Sequence, residues 1–361
     1  MIDVRLLPDD DEREFAATLR RLMSAGPDSP ELWTALADAG VLGLTLPERY
    51  GGSGGSLTDL GAFSGEAGRA LCPTIVHGTI HAGLVIDALG TPEQREALLP
   101  ALTSGRRSAT TALWSAVDAS VVTPALRAEA DGASWTLRGS VDFVLDAQRA
   151  DDVLVSARDA AAGRTLVFVV PMHADSLRVD PLTLMGGQAT ARLHFDGVIV
   201  EDAGMVLGID EGVADDQLHR IANIATALLS LDLVGVGEAA LQRTVDYTTM
   251  RHQFGRPIAS FQAAQHLVAN MHIALSAARL AARAAVALLA EGDVATRATA
   301  VARMHSATAA KLATLDAHQL HGGMGYVVDT DLHRYSERAR VLSTLGGGAD
   351  IAATWLEGAT P

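Results

Sequence analysis

The chain has a single cysteine, Cys72. One thiol excludes an intrachain disulfide framework and a cysteine metal cluster, and a lone small sulfur side chain reads as core. Aromatic residues are scarce, at 4% against 48% hydrophobic overall. The apolar content is therefore mostly Ala, Leu and Val, the profile of packed helices rather than of a β-sandwich. Positive charge is in deficit: 28 Lys and Arg face 43 Asp and Glu, a formal net charge of −15. That balance argues against nucleic acid or an anionic membrane as a partner. It leaves open a small anionic ligand, which responds to local charge. The opening Met1-Ile2-Asp3-Val4-Arg5 lacks the basic-then-apolar pattern of a leader. Asp232, Glu238, Arg279 and Arg283 interrupt the most apolar helical stretches, so no membrane span is expected. A soluble, cytoplasmic protein is the expectation. His252, His266, His272, His305, His318 and His321 come without paired carboxylates or an HExxH-like frame, so no metal site is expected. There is no internal repeat, and Ala/Gly richness such as 159–163 is compositional bias.

What is present is long-range helical periodicity around a short β region. A length of 361 residues suffices for two or three domains with a large core. Apolar residues recur at helical spacing in 11–24 (Phe15, Leu19, Leu22) and 30–40 (Leu32, Leu36, Ala39). Leu46-Pro47-Glu48-Arg49-Tyr50-Gly51-Gly52 breaks the pattern, and 57–71 and 76–89 resume it. Thr91-Pro92-Glu93-Gln94 spells a capping box with Pro in the first turn, launching a helix to about Leu102. From about 108 the period changes to two. Runs at 110–114, 126–129, 135–144, 152–157, 165–170 and 191–200 read as strands, separated by turn signals such as Asp131-Gly132 and Ala162-Gly163. Met185-Gly186-Gly187 reads as a turn. Helical spacing returns from about 212, with segments 217–250, 257–290, 294–321, 331–342 and 349–357. Segment 257–290 is Ala-rich almost all round, as in a bundle interior. The expected fold is mostly α, α+β in class: a helical domain 1–107, a central β domain 108–207 and a four-helix bundle domain 208–361, with an oligomer implied by the apolar bundle.

The stretch with the most chemistry joins two of those long helices: Arg251-His252-Gln253-Phe254-Gly255-Arg256-Pro257-Ile258, then Ser260-Phe261-Gln262 and Gln265-His266. Gly255 and Pro257 are expected to stop one helix and start the next. An Arg there can fork onto phosphate oxygens, and a Phe can cover a flat ring. A second block, Gln319-Leu320-His321-Gly322-Gly323-Met324-Gly325-Tyr326, follows downstream. Its glycines let backbone N–H groups approach a diphosphate closely.

The first block resembles the Arg-x-Gln-Phe-Gly signature, with a following Phe-Gln, of the acyl-CoA dehydrogenase flavoproteins. The second is similar to that family's Gln-x-x-Gly-Gly-x-Gly-Tyr. Leu46–Gly52 looks like its Pro-x-x-x-Gly-Gly loop, and the order helices, sheet, helices spans essentially the whole chain. The resemblance implies the acyl-CoA dehydrogenase fold and FAD as cofactor. It further implies that Arg251, Gln253, Phe254, Gln262, Gln319, Gly322 and Gly323 reach the adenosine diphosphate part of a neighbouring subunit's FAD. Arg334, Arg338 and Arg340 form either a basic surface for CoA phosphates or a solvated helix face.

Dehydrogenation of an acyl thioester needs a base for the proton beside the carbonyl and an oxidised flavin for the hydride. Here the sequence departs from the family. Glu337-Arg338-Ala339-Arg340 is similar to its Arg-Asp-Ala-Arg-like run, and counting on places Gly346 at the catalytic Glu and Gly348 at the Thr that contacts flavin. The alternative base position, on the preceding long helix, falls near Ala225. Asp232 and Glu238 lie nearby but read better as polar residues of a packed helix. Glu357-Gly358 comes eleven residues beyond Gly346 and is a decoy. In the β domain, Ala112-Leu113-Trp114-Ser115 and Phe143-Val144-Leu145 stand where the family has its Thr-Glu-Pro-like and Trp-Ile-Thr flavin contacts, with Ser115 or Thr111 as remaining hydroxyls. Groups donated to a neighbour's flavin are kept; groups that serve the chain's own site are gone. The expectation is a subunit resembling the non-catalytic chains of actinobacterial heterotetrameric acyl-CoA dehydrogenases, which act on steroid side-chain thioesters. A catalytic paralogue would be the partner, acyl-CoA would bind on that partner, and electron-transfer flavoprotein would be the acceptor. Two alternatives stay open: a homo-oligomeric dehydrogenase using Asp232 or Asp350 as base, and a non-enzymatic scaffold for a catalytic paralogue.

Overall fold

The computed structural model describes residues 7–358; the opening Met1–Arg5, read above for a leader, lies outside them. Five helices come first: α1 (Asp10–Leu22), α2 (Leu32–Asp38), α3 (Leu57–Arg69), α4 (Thr74–Leu89) and α5 (Pro92–Thr103). At α1 and α5 the starts follow from side chains that satisfy free N–H groups. Asp9 accepts from the Glu12 N–H at 2.9 Å. Thr91 and Gln94 form the anticipated reciprocal capping box, at 3.3 and 2.9 Å.

Eight strands follow: β1 (Ala109–Ala112), β2 (Leu126–Asp131), β3 (Ser134–Leu145), β4 (Asp152–Asp159), β5 (Thr165–Pro171), β6 (Leu177–Thr183), β7 (Ala189–Val200) and β8 (Val206–Leu207). They form one mixed sheet in the order β6-β7-β3-β2-β4-β5-β8, with β1 beside β4. β1 and β2 run parallel to β4, and the other pairs are antiparallel. The two-residue side-chain period divides β4 and β5 between two cores. Leu154, Val167 and Val169 pack with Ile86 and Leu99 of α4 and α5. Val153, Val155, Leu166, Phe168 and Val170 pack with Leu137, Leu193 and Phe195.

The rest is helical: α6 (Asp215–Met250), the small pair β9 (His252–Gln253) and β10 (Arg256–Pro257), then α7 (Gln262–Ala290), α8 (Thr296–His321), α9 (Leu332–Leu342) and α10 (Ala349–Gly358). By contact the chain divides into two compact units. A sheet unit comprises Asp28–Leu60 and Pro73–Ala225; a helical unit comprises Met1–Pro27, Gly61–Cys72 and Thr226–Pro361, so far as these are described. In the helical unit α3 and α6 touch backbone to backbone. A Cβ on Gly235 would lie 1.9 Å from the Gly65 carbonyl oxygen, and one on Gly68 would lie 2.0 Å from that of Asp232. Only glycine permits that approach.

Two expectations need correction. Pro257 does not open the second long helix: it belongs to β10, a 3-10 turn covers Ile258–Ser260, and α7 starts at Gln262. Segment 257–290 is not a bundle interior within this chain, since only a minority of α7's most apolar stretch is buried. Both α6 and α7 are also long and apolar enough, by length and composition alone, to cross a membrane, a test that the core helices of soluble proteins pass as well.

Candidate cofactor-binding edge

Helix α6 ends where the Arg251 N–H donates to the Tyr247 carbonyl at 2.8 Å. The chain then turns back at once, pairing His252 with Pro257 and Gln253 with Arg256. Phe254 and Gly255 form the tip, with φ of 54° and 81°. Two positive φ values match the twist of a tight hairpin, a position that normally selects Asn or Gly. Phe254 holds it while 92% exposed. Its ring meets Phe261 edge-on at 6.2 Å, and the Arg256 guanidinium lies over the Phe261 ring at 4.0 Å. Arg256 is thereby anchored. Arg251 is exposed, and its guanidinium has no hydrogen bond or ion pair among the described residues. The Gln253 amide nitrogen donates to the His252 carbonyl at 2.8 Å.

The second block closes α8. Gly322 carries the N–H that ends the helix, donating to the Gln319 and His318 carbonyls, with φ 59° and ψ −135° that only glycine adopts readily. A Cβ on Gly322 or Gly323 would meet nothing within 4 Å, so open space lies beside this backbone. At Gly325 the reverse holds: a Cβ would lie 2.8 Å from the His318 carbonyl oxygen. His318 Nδ1 donates to the Gly325 carbonyl at 2.7 Å and fixes the turn. His321 Nδ1 donates to the Ala317 carbonyl at 2.7 Å. Burial, more than the nearby His318 and Arg243 charges, holds the His321 pKa below its ordinary value.

All seven residues picked from sequence, Arg251, Gln253, Phe254, Gln262, Gln319, Gly322 and Gly323, are exposed. The two blocks are tied by residues that sequence reasoning missed. Tyr247 of α6 stacks on His321 of α8, centroids 4.4 Å apart and planes 18° from parallel. One turn earlier, the Arg243 guanidinium lies over Tyr335 at 5.1 Å. The signal available was Tyr247's place four residues before Arg251, on the same helical face. The edge fits the diphosphate end of a dinucleotide: a free guanidinium, exposed amides and open glycine backbone.

Beside the edge lies an uncovered face. One row of exposed residues on α7 runs through Ala263, His266, Asn270, Ile273, Ala277 and Leu280, flanked by others such as Gln265, Ala269, His272 and Arg279, and one on α8 runs through His305, Thr308, Leu312, Leu315 and Gln319, flanked by Lys311. Both runs alternate steps of three and four, the spacing of a seam that packs against other helices.

The turn that the sequence reading aligns with the family's base carries Gly346. Gly346 and Gly347 have φ of 69° and 98°. The buried Arg303 ties this turn down through the carbonyls of Gly347, Leu342 and Leu345, at 2.9, 2.8 and 2.6 Å. Burial lowers the Arg303 pKa to about 10. Asp232 is fully buried and forks onto Arg338 at 3.0 and 2.6 Å, while Arg338 also donates to the Cys72 carbonyl at 2.8 Å. Arg338 therefore belongs to neither a basic surface nor a solvated face with Arg334 and Arg340. Glu238 is held between Arg69 and Arg279, the latter at 2.5 Å. Asp350 is exposed in the first turn of α10.

In the sheet unit, Trp114, Thr111 and Ser115, aligned above with the family's flavin contacts, have partners within the chain. Trp114 meets the His81 ring edge-on at 5.4 Å. His81 Nε2 faces the Ile221 carbonyl at 3.2 Å and must donate there, so its Nδ1 accepts the Thr111 hydroxyl proton at 3.2 Å. Burial pushes the His81 pKa down to about 4, and the Ile221 hydrogen bond only partly offsets it. Ser115 Oγ accepts from the Val117 N–H at 3.4 Å.

Residues 219–356 match the acyl-CoA dehydrogenase C-terminal domain, and residues 10–106 match the acyl-CoA dehydrogenase N-terminal domain. The chain belongs to the acyl-CoA dehydrogenase family. It is 31% identical over 317 residues to acyl-CoA dehydrogenase FadE28 of Mycobacterium tuberculosis, covering 88% of each chain. Acyl-CoA dehydrogenase IpdE2 of the same organism is 31% identical over 325 residues, 90% of this chain and 85% of that one. Among solved structures, a variant of the Tcur3481-Tcur3483 steroid ACAD matches with a TM-score of 0.85 at 30% identity over 97% of both chains. The ChsE4-ChsE5 complex from Mycobacterium tuberculosis gives 0.88 at 26% identity over 99% of both. A glutaryl-CoA dehydrogenase from Mycobacterium smegmatis, solved with FADH2, shares the fold: TM-score 0.84, 22% identity, 99% of this chain and 95% of that one.

Proposed function

We propose that this chain is the FAD-completing, non-catalytic subunit of a heteromeric acyl-CoA dehydrogenase. The observation that carries the reading is the contrast between its two sets of residues. The seven at the edge are all exposed, whereas the position for the base is Gly346 at positive φ and the nearby Asp232 is locked to Arg338. A catalytic paralogue supplies the base, the flavin-ring contacts and the acyl pocket. FAD, when bound, supplies the hydride acceptor. Arg251 binds its diphosphate; Gln253, Gln262 and Gln319 orient phosphate and ribose; Phe254 shields the far side from water; and Gly322 and Gly323 let the backbone approach. The uncovered α7–α8 seam is where the partner's helices pack, giving a heterotetramer. A steroid side-chain thioester is the proposed substrate, in keeping with the steroid ACAD among the structural relatives. Electron-transfer flavoprotein is the proposed acceptor, the cytoplasm the compartment, and 1–107, 108–207 and 208–361 the domains.

The test is co-expression with a candidate catalytic acyl-CoA dehydrogenase paralogue from the same genome. The complex should carry FAD and turn over acyl-CoA, and the chain alone should do neither. Arg251→Ala removes a charge-assisted contact worth roughly 1.5–3 kcal/mol, so FAD should bind the complex about ten- to a hundredfold more weakly. Full FAD occupancy and activity in the chain alone would overturn the reading.

A further inference from the structure

Between the two motifs lies a contact that belongs to neither. Tyr247 is half-buried, one turn before the end of α6, and its ring lies nearly flat on His321. The same Tyr247 accepts, through its carbonyl, the Arg251 N–H that closes the helix before the hairpin. His321 immediately precedes Gly322, whose N–H ends α8. One aromatic pair thus sits at the root of both presented segments. The hairpin has only two strand residues on each side and its tip is almost fully exposed, so its own hydrogen bonds set its aim poorly. Its direction is inherited from the end of α6.

We infer that Tyr247 and His321 are positioning residues: their stack fixes the separation of Arg251 from the Gly322-Gly323 backbone, and with it the span across which a diphosphate can be gripped at both ends. The inference rests on the proposed function, since it gives the edge its precision rather than its identity. The ring pair suits this task. Stacked rings hold two helices at a set distance while leaving exposed edges polar and unobstructed. His321 Nδ1 also donates to the Ala317 carbonyl, which seats the ring on its own helix while the flat face meets Tyr247. Arg243 over Tyr335, one turn back on α6, is a second clasp on the same face. It keeps the body of α6 docked on α9 when the first is removed, but it lies a turn short of Tyr247 and leaves the helix end unaimed.

The experiment compares FAD affinity with stability and assembly in the complex with the paralogue. Tyr247→Ala should weaken FAD binding about tenfold, a loss set by misaligned grips rather than by a missing contact. Assembly and melting temperature should change little, because the Arg243–Tyr335 clasp remains. Tyr247→Phe keeps the ring and should bind FAD as the unmodified complex does. His321→Phe should do the same, and His321→Ala should reproduce the loss. If Tyr247→Ala prevents assembly, Tyr247→Leu and the two His321 variants carry the test. Wild-type affinity in Tyr247→Ala or Tyr247→Leu overturns the inference, as does a Tyr247→Phe complex impaired as much as the alanine variant. Arg251→Ala is the control that separates the two claims. If it leaves FAD binding intact, the proposed function fails; if it strips FAD while Tyr247→Ala does not, only the positioning role fails.

Discussion

Replacing Asp232 with Asn separates a base from a strut. The carboxylate is fully buried, and the Arg338 side chain it forks onto is 9% exposed. Two hydrogen bonds, at 3.0 and 2.6 Å, join them. In Asp232→Asn the amide oxygen can keep one bond. The amide nitrogen then confronts a guanidinium nitrogen, donor against donor, and the buried cation loses its counter-charge. Breaking a buried pair from one side costs about 3–5 kcal/mol. Against a typical stability of about 5–15 kcal/mol, that is roughly a fifth or more. The cost should fall on the helical unit, because Asp232, Arg338 and Cys72 all lie within it.

The assay is urea denaturation of the purified chain, with turnover of the complex measured alongside. Asp232→Asn should lower the midpoint strongly. Adding Arg338→Met should restore much of the loss, because the unpaired cation is then gone and a neutral side chain of similar length fills the space. Turnover per correctly folded complex should hold. A variant that keeps wild-type stability but loses turnover would show that Asp232 is the base, and would refute both this account and the proposed division of labour. A double variant no more stable than Asp232→Asn would refute the uncompensated-charge argument alone.

Two further outcomes follow from the same geometry. His81 has a folded pKa near 4 against an ordinary 6.5, so the unfolded chain binds the proton more readily. Its contribution to stability is fully present above pH 6.5 and is lost as pH falls towards 4. At about 1.36 kcal/mol per pKa unit, the loss between pH 7 and 4 is about 3 kcal/mol. His81→Gln should show a shallower fall in urea midpoint over that range, and parallel profiles would disprove the linkage. Gly346→Glu places a carboxylate where the sequence reading aligns the family's base, but at a φ of 69°, where a non-glycine residue costs roughly 1–2 kcal/mol. That variant should be less stable by about that much and should not dehydrogenate acyl-CoA on its own. Turnover by the variant without a partner would show that the chain's own pocket is intact.

The legible parts of the fold are those where local chemistry and tertiary structure ask for the same residue. Thr91 and Gln94 cap α5 by contacts three residues apart, so the sequence states them outright. Strands β4 and β5 are buried on both faces and read as continuous apolar runs. Strand β6 was missed because it pairs only with β7. An edge position tolerates Pro181 and the charged Arg178 and Asp180, so nothing there announces a strand. The hairpin was missed because its tip is Phe-Gly and not Asn-Gly, which hides a positive-φ turn behind an aromatic. Arg338 looked like a surface residue because its partner, Asp232, is 106 residues away. Tyr247 on His321 is invisible for the same reason: the pair is made by the approach of two helices.

The tip of that hairpin also shows what folding alone does not explain. Phe254 occupies a conformation that favours glycine and asparagine, at a cost of roughly 1–3 kcal/mol. Exposed at 92%, it recovers almost nothing by burial. Tyr326, at the close of the second motif, is 81% exposed and likewise buries little. Arg251 contributes no ion pair among the described residues. A chain shaped only by its own stability would place Asn or Gly at 254 and bury or discard the aromatics. At Gly346 the choice runs the other way: positive φ is met by a residue that tolerates it, and Arg303 secures the turn. Strain is thus accepted at the outward-facing edge and avoided at Gly346. That distribution is what the proposed division of labour expects, with the ligand that rewards Phe254 and Arg251 sitting on another subunit.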